Sequence, residues 1–174
     1  MKATLITLLI LIGISAIVFA PRICKDIQKK RNYANTFAIQ NVENGKDIRV
    51  YNAENADETK IILYNHNNWE CLTWQLIELQ ENTFLLKNLY TQKSFQPASV
   101  PQSGVNLWQQ TLGGSPLQYW EFLKQSDETY LIRLKDTELY ITTTSDDNDS
   151  DLILMPIQNS DSQKWRLIRQ NPII

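Results

Sequence analysis

The sequence is poor in the residue types that catalytic and metal sites commonly use. Its 174 residues include one histidine, two cysteines and five glycines. The single histidine, His66, excludes a site built from several histidines and leaves one candidate base for a nucleophilic serine or cysteine. We interpret His66 as a solvated residue of an asparagine-rich loop. Two cysteines, Cys24 and Cys71, do not make a disulfide framework. No phosphate-binding glycine loop and no nucleophile elbow are found.

The acidic residues give no better case for a catalytic or metal site. A net charge of −2 offers no basic face for a nucleic acid. Asp147, Asp149 and Asp151 have the spacing of a calcium loop, but Leu152 replaces its glycine and Gln158 its bidentate glutamate. We interpret this stretch as an exposed acidic hairpin loop. Because the acid pairs lie in loops far apart in sequence, glycosidase chemistry has no support. We expect no enzyme activity, no metal and no cofactor.

The N-terminus carries the one long hydrophobic run. Residues 3–20 are apolar and uncharged, which predicts a hydrophobic helix close in length to a membrane span. An uncleaved membrane anchor and a cleaved signal sequence are both compatible with it, although Pro21 disfavours cleavage. We assign residues 1–21 to this anchor or signal.

Residues 22–34 form a basic juxtamembrane linker with Arg22, Lys25, Lys29, Lys30 and Arg31. Basic residues beside a membrane segment favour the cytoplasmic side, and they also bind anionic lipid surfaces. The chain is therefore expected to be tethered to a membrane through residues 3–20, or secreted. The side on which the C-terminal domain lies stays open.

An internal repeat organises the remaining residues, 35–174. Three threonines followed by an aromatic residue, and three tryptophans, each recur at about 46 residues, a period typical of repeat architectures. They are Thr36, Thr83 and Thr129, and Trp74, Trp120 and Trp165. Within each period, apolar residues alternate as in strands with one buried face, for example Phe37/Ile39, Phe84/Leu86 and Tyr130/Ile132.

The pattern predicts an all-β domain of three units with four strands each. The units cover about residues 35–81, 82–127 and 128–170, and are called units one, two and three below. None of them can bury its apolar face alone, so we expect closure into a barrel, which also removes exposed strand edges.

The ends of the units resemble a known family. Gln118-Tyr119-Trp120 and Gln163-Lys164-Trp165 match the Gln-x-Trp motif of ricin B-type lectins, whereas unit one departs with Leu72-Thr73-Trp74. The resemblance implies a β-trefoil. Trp74, Trp120 and Trp165 would then be packed in its interior, as large aromatic side chains commonly are.

The resemblance also implies a sugar pocket in each unit, with a stacking aromatic residue, amides and an aspartate in the second strand. The aspartate positions hold Arg49, Gln96 and Tyr140. None of these is an acid, so a charged acceptor for sugar hydroxyls is missing.

Only unit two keeps most of the other pocket residues. It has Gln96, Asn106, Trp108 and Gln118, the candidate sugar-binding set. Unit one offers Tyr64 and Asn65 beside apolar Ile62 and Leu72, and unit three offers Ile153, Met155 and Gln163. We therefore expect a non-catalytic domain that binds carbohydrate at one site at most. The alternative is a degenerate trefoil that binds a protein partner, like the lectin-like accessory subunits of bacterial toxins.

Overall fold

The computed structural model describes Tyr33 and residues 35–172. The predicted hydrophobic helix, and the basic linker apart from Tyr33, lie outside the described residues. Within the described part of the chain, no helix has the length and apolar character needed to cross a membrane.

The described domain is all-β, and four strands fall in each of the three units. In unit one they are β1 Thr36–Asn41, β2 Lys46–Val50, β3 Ile61–Asn65 and β4 Trp74–Gln80. In unit two they are β5 Thr83–Asn88, β6 Ser94–Pro97, β7 Leu107–Gln110 and β8 Tyr119–Lys124. In unit three they are β9 Tyr130–Leu134, β10 Tyr140–Thr143, β11 Leu152–Met155 and β12 Lys164–Arg169. Short 3₁₀ helices are formed by Tyr51–Ala53, Glu70–Leu72, Pro116–Gln118 and Asp161–Gln163.

Six strands close into a barrel, and the other six form three hairpins. Antiparallel pairing runs from β1 to β4, β5, β8, β9 and β12, and β12 pairs with β1 again. The hairpins are β2–β3, β6–β7 and β10–β11. A closed barrel leaves no edge strand exposed in the ring. This is the arrangement of a β-trefoil.

The three repeated tryptophans lie in the interior, each with no exposed surface. The indole Nε1 of Trp74 donates to the carbonyl oxygen of Ile48 at 2.9 Å, and that of Trp165 donates to Ile141 at 3.2 Å. Nε1 of Trp120 has no acceptor among the described residues. The ring centroid of Phe95 lies 5.1 Å from Trp74 and 5.0 Å from Trp120. These large rings fill the centre, where buried aromatic area contributes most to stability.

The acidic loop between β10 and β11 is exposed and contacts unit one. The amide oxygen of Asn148 accepts from Lys46 Nζ at 2.9 Å and from the backbone N–H of Asn65 at 3.1 Å. No group of three or more His, Cys, Asp or Glu side chains in the described part of the chain is placed to hold a metal ion. The loop therefore attaches one hairpin to the next.

Candidate functional site

The hairpin β6–β7 presents one polar, half-buried face. Gln96 lies directly opposite Trp108 in the strand register, so the two side chains point to the same side. Their neighbours Phe95 and Leu107 point the other way and are buried in the core. Gln96 and Trp108 thus meet at the surface, as the sequence suggested, because alternation turns every second residue of each strand outward.

Gln118 lies inside the fold and holds Gln96. It is 1% exposed. Its Nε2 donates to Gln96 Oε1 at 3.3 Å and to the carbonyl oxygen of Thr111 at 3.0 Å, and its Oε1 accepts from the N–H of Gly113 at 3.2 Å. With both N–H groups used, Gln118 has no donor left for a ligand. It fixes the loop before β8 and orients the amide of Gln96.

Gln163 does the same work in unit three. Its Nε2 donates to Thr142 Oγ1 and to the carbonyl oxygen of Pro156, both at 2.9 Å, and its Oε1 accepts from the N–H of Gln158 at 2.7 Å. Unit one has the fully buried Leu72 at this position. In the two units that keep it, the glutamine of the Gln-x-Trp motif therefore holds the preceding loop through hydrogen bonds to its backbone.

A carboxylate from unit three lies beside the pocket residues of unit two. Asn106 Nδ2 donates to Asp151 Oδ2 at 3.3 Å. Lys60 of unit one approaches both carboxylate oxygens of Asp151, at 3.1 and 3.2 Å. The sequence assigned Asp151 to the acidic loop and did not associate it with the pocket. Contacts between units bring it there, since Asn106 pairs with Ile153, two residues beyond Asp151.

Trp108 lies between this polar group and the body of the domain. It is half-buried, its backbone pairs with Lys60, and its Nε1 is buried with no partner among the described residues. Asn106 and Trp108 are two residues apart and so face the same side. Gln96, Asn106, Trp108 and Asp151 together form what we call the unit-two site.

In unit one, a basic side chain covers the aromatic residue. The guanidinium of Arg49 lies over the ring of Tyr64, with 4.2 Å between Cζ and the ring centroid, and 5.9 Å from the ring of Trp69. Tyr64 occupies the place of the stacking aromatic in the family that the sequence resembles. Arg49, which stands where that family has the aspartate, therefore covers one face of the Tyr64 ring.

The same hairpin holds a buried acid that the sequence gave no role. Asp47 is fully buried, and its Oδ2 lies 2.8 Å from Nδ1 of His66. Burial raises the pKa of Asp47 from 3.8 to about 6, although His66 and a hydrogen bond from Gln40 favour the ionised form. His66 is therefore not simply solvated, because one ring nitrogen contacts this carboxyl. Asp47 shares its strand face with Arg49 and not with the core residues Ile48 and Val50, so the alternation of the strand gave no signal of its burial.

Unit three offers no comparable polar face. Tyr140 is buried, and its hydroxyl donates to Glu138 at 3.4 Å. Ile153 and Met155 are half-buried apolar residues. A sugar pocket needs a few convergent polar groups, and here they are replaced by hydrocarbon.

Comparisons with known proteins establish the fold. No protein-family model and no curated protein matches the chain. Among solved structures it is similar to the designed three-fold symmetric protein ThreeFoil (TM-score 0.74, 20% identity, 77% of this chain and 98% of that one). It is also similar to the Macrolepiota procera ricin B-like lectin in complex with lactose (0.68, 16%, 77% and 94%). A third match is the Haemophilus ducreyi cytolethal distending toxin (0.65, 15%, 81% and 86%). The fold is the β-trefoil.

Proposed function

We propose that the domain is a non-catalytic, three-unit trefoil that binds a neutral carbohydrate at the unit-two site. The proposal is carried by one observation, which is that Asp151 lies beside Asn106, on the strand face that also presents Trp108. The charged acceptor missing from the second strand of unit two is supplied by another unit. Likeness to a lectin that binds lactose supports this function by analogy.

Each residue of the unit-two site has a distinct part. The half-buried ring of Trp108 supports the apolar face of a sugar ring. The carboxylate of Asp151, whose side chain is 31% exposed, already accepts from Lys60 and Asn106. Its remaining lone pairs accept hydrogen bonds from sugar hydroxyls, and such charge-assisted bonds are stronger than neutral ones. Because Gln96 Oε1 is held by Gln118, the amide N–H groups of Gln96 are left to donate to the ligand.

A glycan array with the full chain tests this function. We expect binding to at least one neutral glycan, and we expect Trp108→Ala to abolish it. Tyr90→Ala is the control, because it removes an exposed aromatic ring outside the site. Absence of binding to every glycan, or binding that survives Trp108→Ala, contradicts the proposal. The first of these results favours a protein partner, the alternative function of the domain.

We also propose that residues 3–20 hold the chain at a membrane or direct its export. The support is the uncharged apolar run of the sequence. A reporter that is active only outside the cytoplasm, fused after Ile174, determines on which side of the membrane the domain lies, and an active reporter would place it outside. An inactive reporter with the protein present would place the domain in the cytoplasm and would favour a protein partner over a glycan.

A further inference from the structure

Arg49 is a cation without a counter-charge in the described domain. No Asp or Glu of residues 35–172 lies within ion-pair distance of it, whereas Arg133 is held by Glu121 at 2.8 Å and Glu138 at 3.0 Å. Its Nε is buried and has no hydrogen-bond partner among the same residues. A buried donor without a partner is uncommon in folded proteins. Because Nε is covered, an acceptor from outside the domain would reach Arg49 through its terminal N–H groups, which are not among the buried unpartnered atoms of the described residues.

Two aromatic rings lie beside the Arg49 guanidinium. It lies over Tyr64, and the ring of Trp69 stands 6.3 Å from that of Tyr64, centroid to centroid. Arg49, Tyr64 and Trp69 are all partly exposed, so the group can be reached from solvent. A guanidinium that is stacked on an aromatic ring keeps its N–H edge free for a planar anion, and a carboxylate fits that edge with two parallel hydrogen bonds.

The carboxylates near the hairpin are engaged by other groups. Asp47 lies on the same face of the β2–β3 hairpin, opposite Tyr64, but its carboxyl oxygens are engaged by His66 and Gln40. Asp146 of the acidic loop accepts from Asn44, and the same loop holds Lys46 through Asn148. Arg49 is therefore the cation of this face that is left for an anion.

We propose that hairpin β2–β3 carries an anion site, centred on Arg49 and backed by Tyr64 and Trp69, which binds the carboxylate of an acidic sugar. The partly exposed ring of Trp69 gives the apolar face of a sugar ring a surface beside the carboxylate. A neutral sugar is disfavoured here, because Arg49 covers Tyr64 and no acceptor for hydroxyls replaces it. This site is separate from the unit-two site and takes a different ligand, so the two proposals stand or fall independently.

Calorimetric titration of the full chain with four small ligands tests the proposal. They are the methyl glycosides of N-acetylneuraminic acid and glucuronic acid, and the methyl ester of each, which removes the charge and keeps the sugar. We expect saturable binding of at least one acid and a loss of about ten-fold or more for its ester, as expected when a charge-assisted bond is removed. Failure of both acids to bind, or equal affinity for acid and ester, overturns the proposal.

Variants locate the binding. Arg49→Gln is expected to weaken the acid about ten-fold or more, and Arg49→Lys to weaken it too, because lysine cannot make the two parallel bonds. Trp108→Ala is expected to leave acid binding unchanged, which separates this site from the unit-two site. Unchanged affinity in Arg49→Gln, with folding verified by circular dichroism, overturns the proposal. If that variant does not fold, the acid–ester comparison on the unmodified chain decides.

Two further ligands define the occupant. Acetate is expected to bind much more weakly than the sugar acids, because it lacks a ring to contact Trp69. A short peptide rich in aspartate and glutamate is expected to bind more weakly as well. Acetate as tight as the sugar acids would overturn the assignment to a sugar, and a peptide tighter than both sugar acids would assign the site to a protein partner instead.

Discussion

The buried carboxyl of Asp47 makes the stability of the domain depend on pH in an unusual direction. Its pKa is 3.8 in an exposed chain and about 6 in the fold, because burial disfavours the ionised form. The folded state therefore binds this proton more tightly than the unfolded state. The contribution of Asp47 to stability is complete below pH 3.8 and is lost as the pH rises through about 6.

The size of this effect follows from the shift in pKa. One pKa unit corresponds to about 1.4 kcal/mol, so the rise from 3.8 to about 6 amounts to about 3 kcal/mol between acidic and neutral pH. In Asp47→Asn the group no longer titrates. We therefore expect the free energy of unfolding of the variant, relative to that of the unmodified protein, to increase by about 3 kcal/mol as the pH rises from about 3 to about 7, so that the variant becomes the relatively more stable protein.

Urea unfolding of both proteins at a series of pH values measures this difference. Other acidic residues are common to both proteins and largely cancel. His66→Gln is the matched control. Contact with His66 lowers the pKa of Asp47, so its loss is expected to move the titration of Asp47 to higher pH. A difference between Asp47→Asn and the unmodified protein that stays constant with pH, or that changes in the opposite sense, would refute this reasoning.

Two further predictions concern the interior. Trp74→Phe is expected to cost about 1–3 kcal/mol more in unfolding free energy than Trp120→Phe, because only Trp74 loses a hydrogen bond, to Ile48; equal costs in thermal or urea unfolding would contradict this. Gln163→Leu is expected to destabilise the domain by about 2 kcal/mol, because three hydrogen bonds are lost. The leucine side chain itself should fit, since unit one has the buried Leu72 at the equivalent position. Unchanged urea unfolding would show that the hydrogen bonds of Gln163 do not stabilise the loop before β12.

The strands could be predicted from the sequence because one face of each is buried in a shared core. Residues such as Ile48 and Val50 alternate with polar neighbours, and the repeated tryptophans fall at equivalent strand positions in β4, β8 and β12. Alternation records burial locally, so it can be followed without knowing which strands pair. Gln96 and Trp108 were placed in one set by the family resemblance, and the register of β6 with β7 brings them opposite each other.

The remaining parts of the site depend on contacts between units, which a local pattern does not record. Asp151 reaches Asn106 from 45 residues away, and Lys60 reaches Asp151 from 91 residues away. The contact between His66 and Asp47 joins the two ends of a hairpin. The sequence placed His66 in a solvated loop because it does not show that contact. The hydrogen bonds of Gln118 could not be predicted for a related reason, since a motif identifies the residue but not which of its donors are already used.

We propose that Asp151 supplies unit two with the carboxylate that its own second strand lacks. Calorimetry of the full chain with the neutral glycan that binds best, comparing Asp151→Asn with Asp149→Asn, tests this role. Asp149→Asn is the control, because Asp149 lies in the same exposed loop and its substitution also removes one charge. Its positive φ of 66° is a backbone conformation that asparagine tolerates. We predict that affinity falls about ten-fold or more in Asp151→Asn and is unchanged in Asp149→Asn. Equal affinities in the two variants would contradict the account.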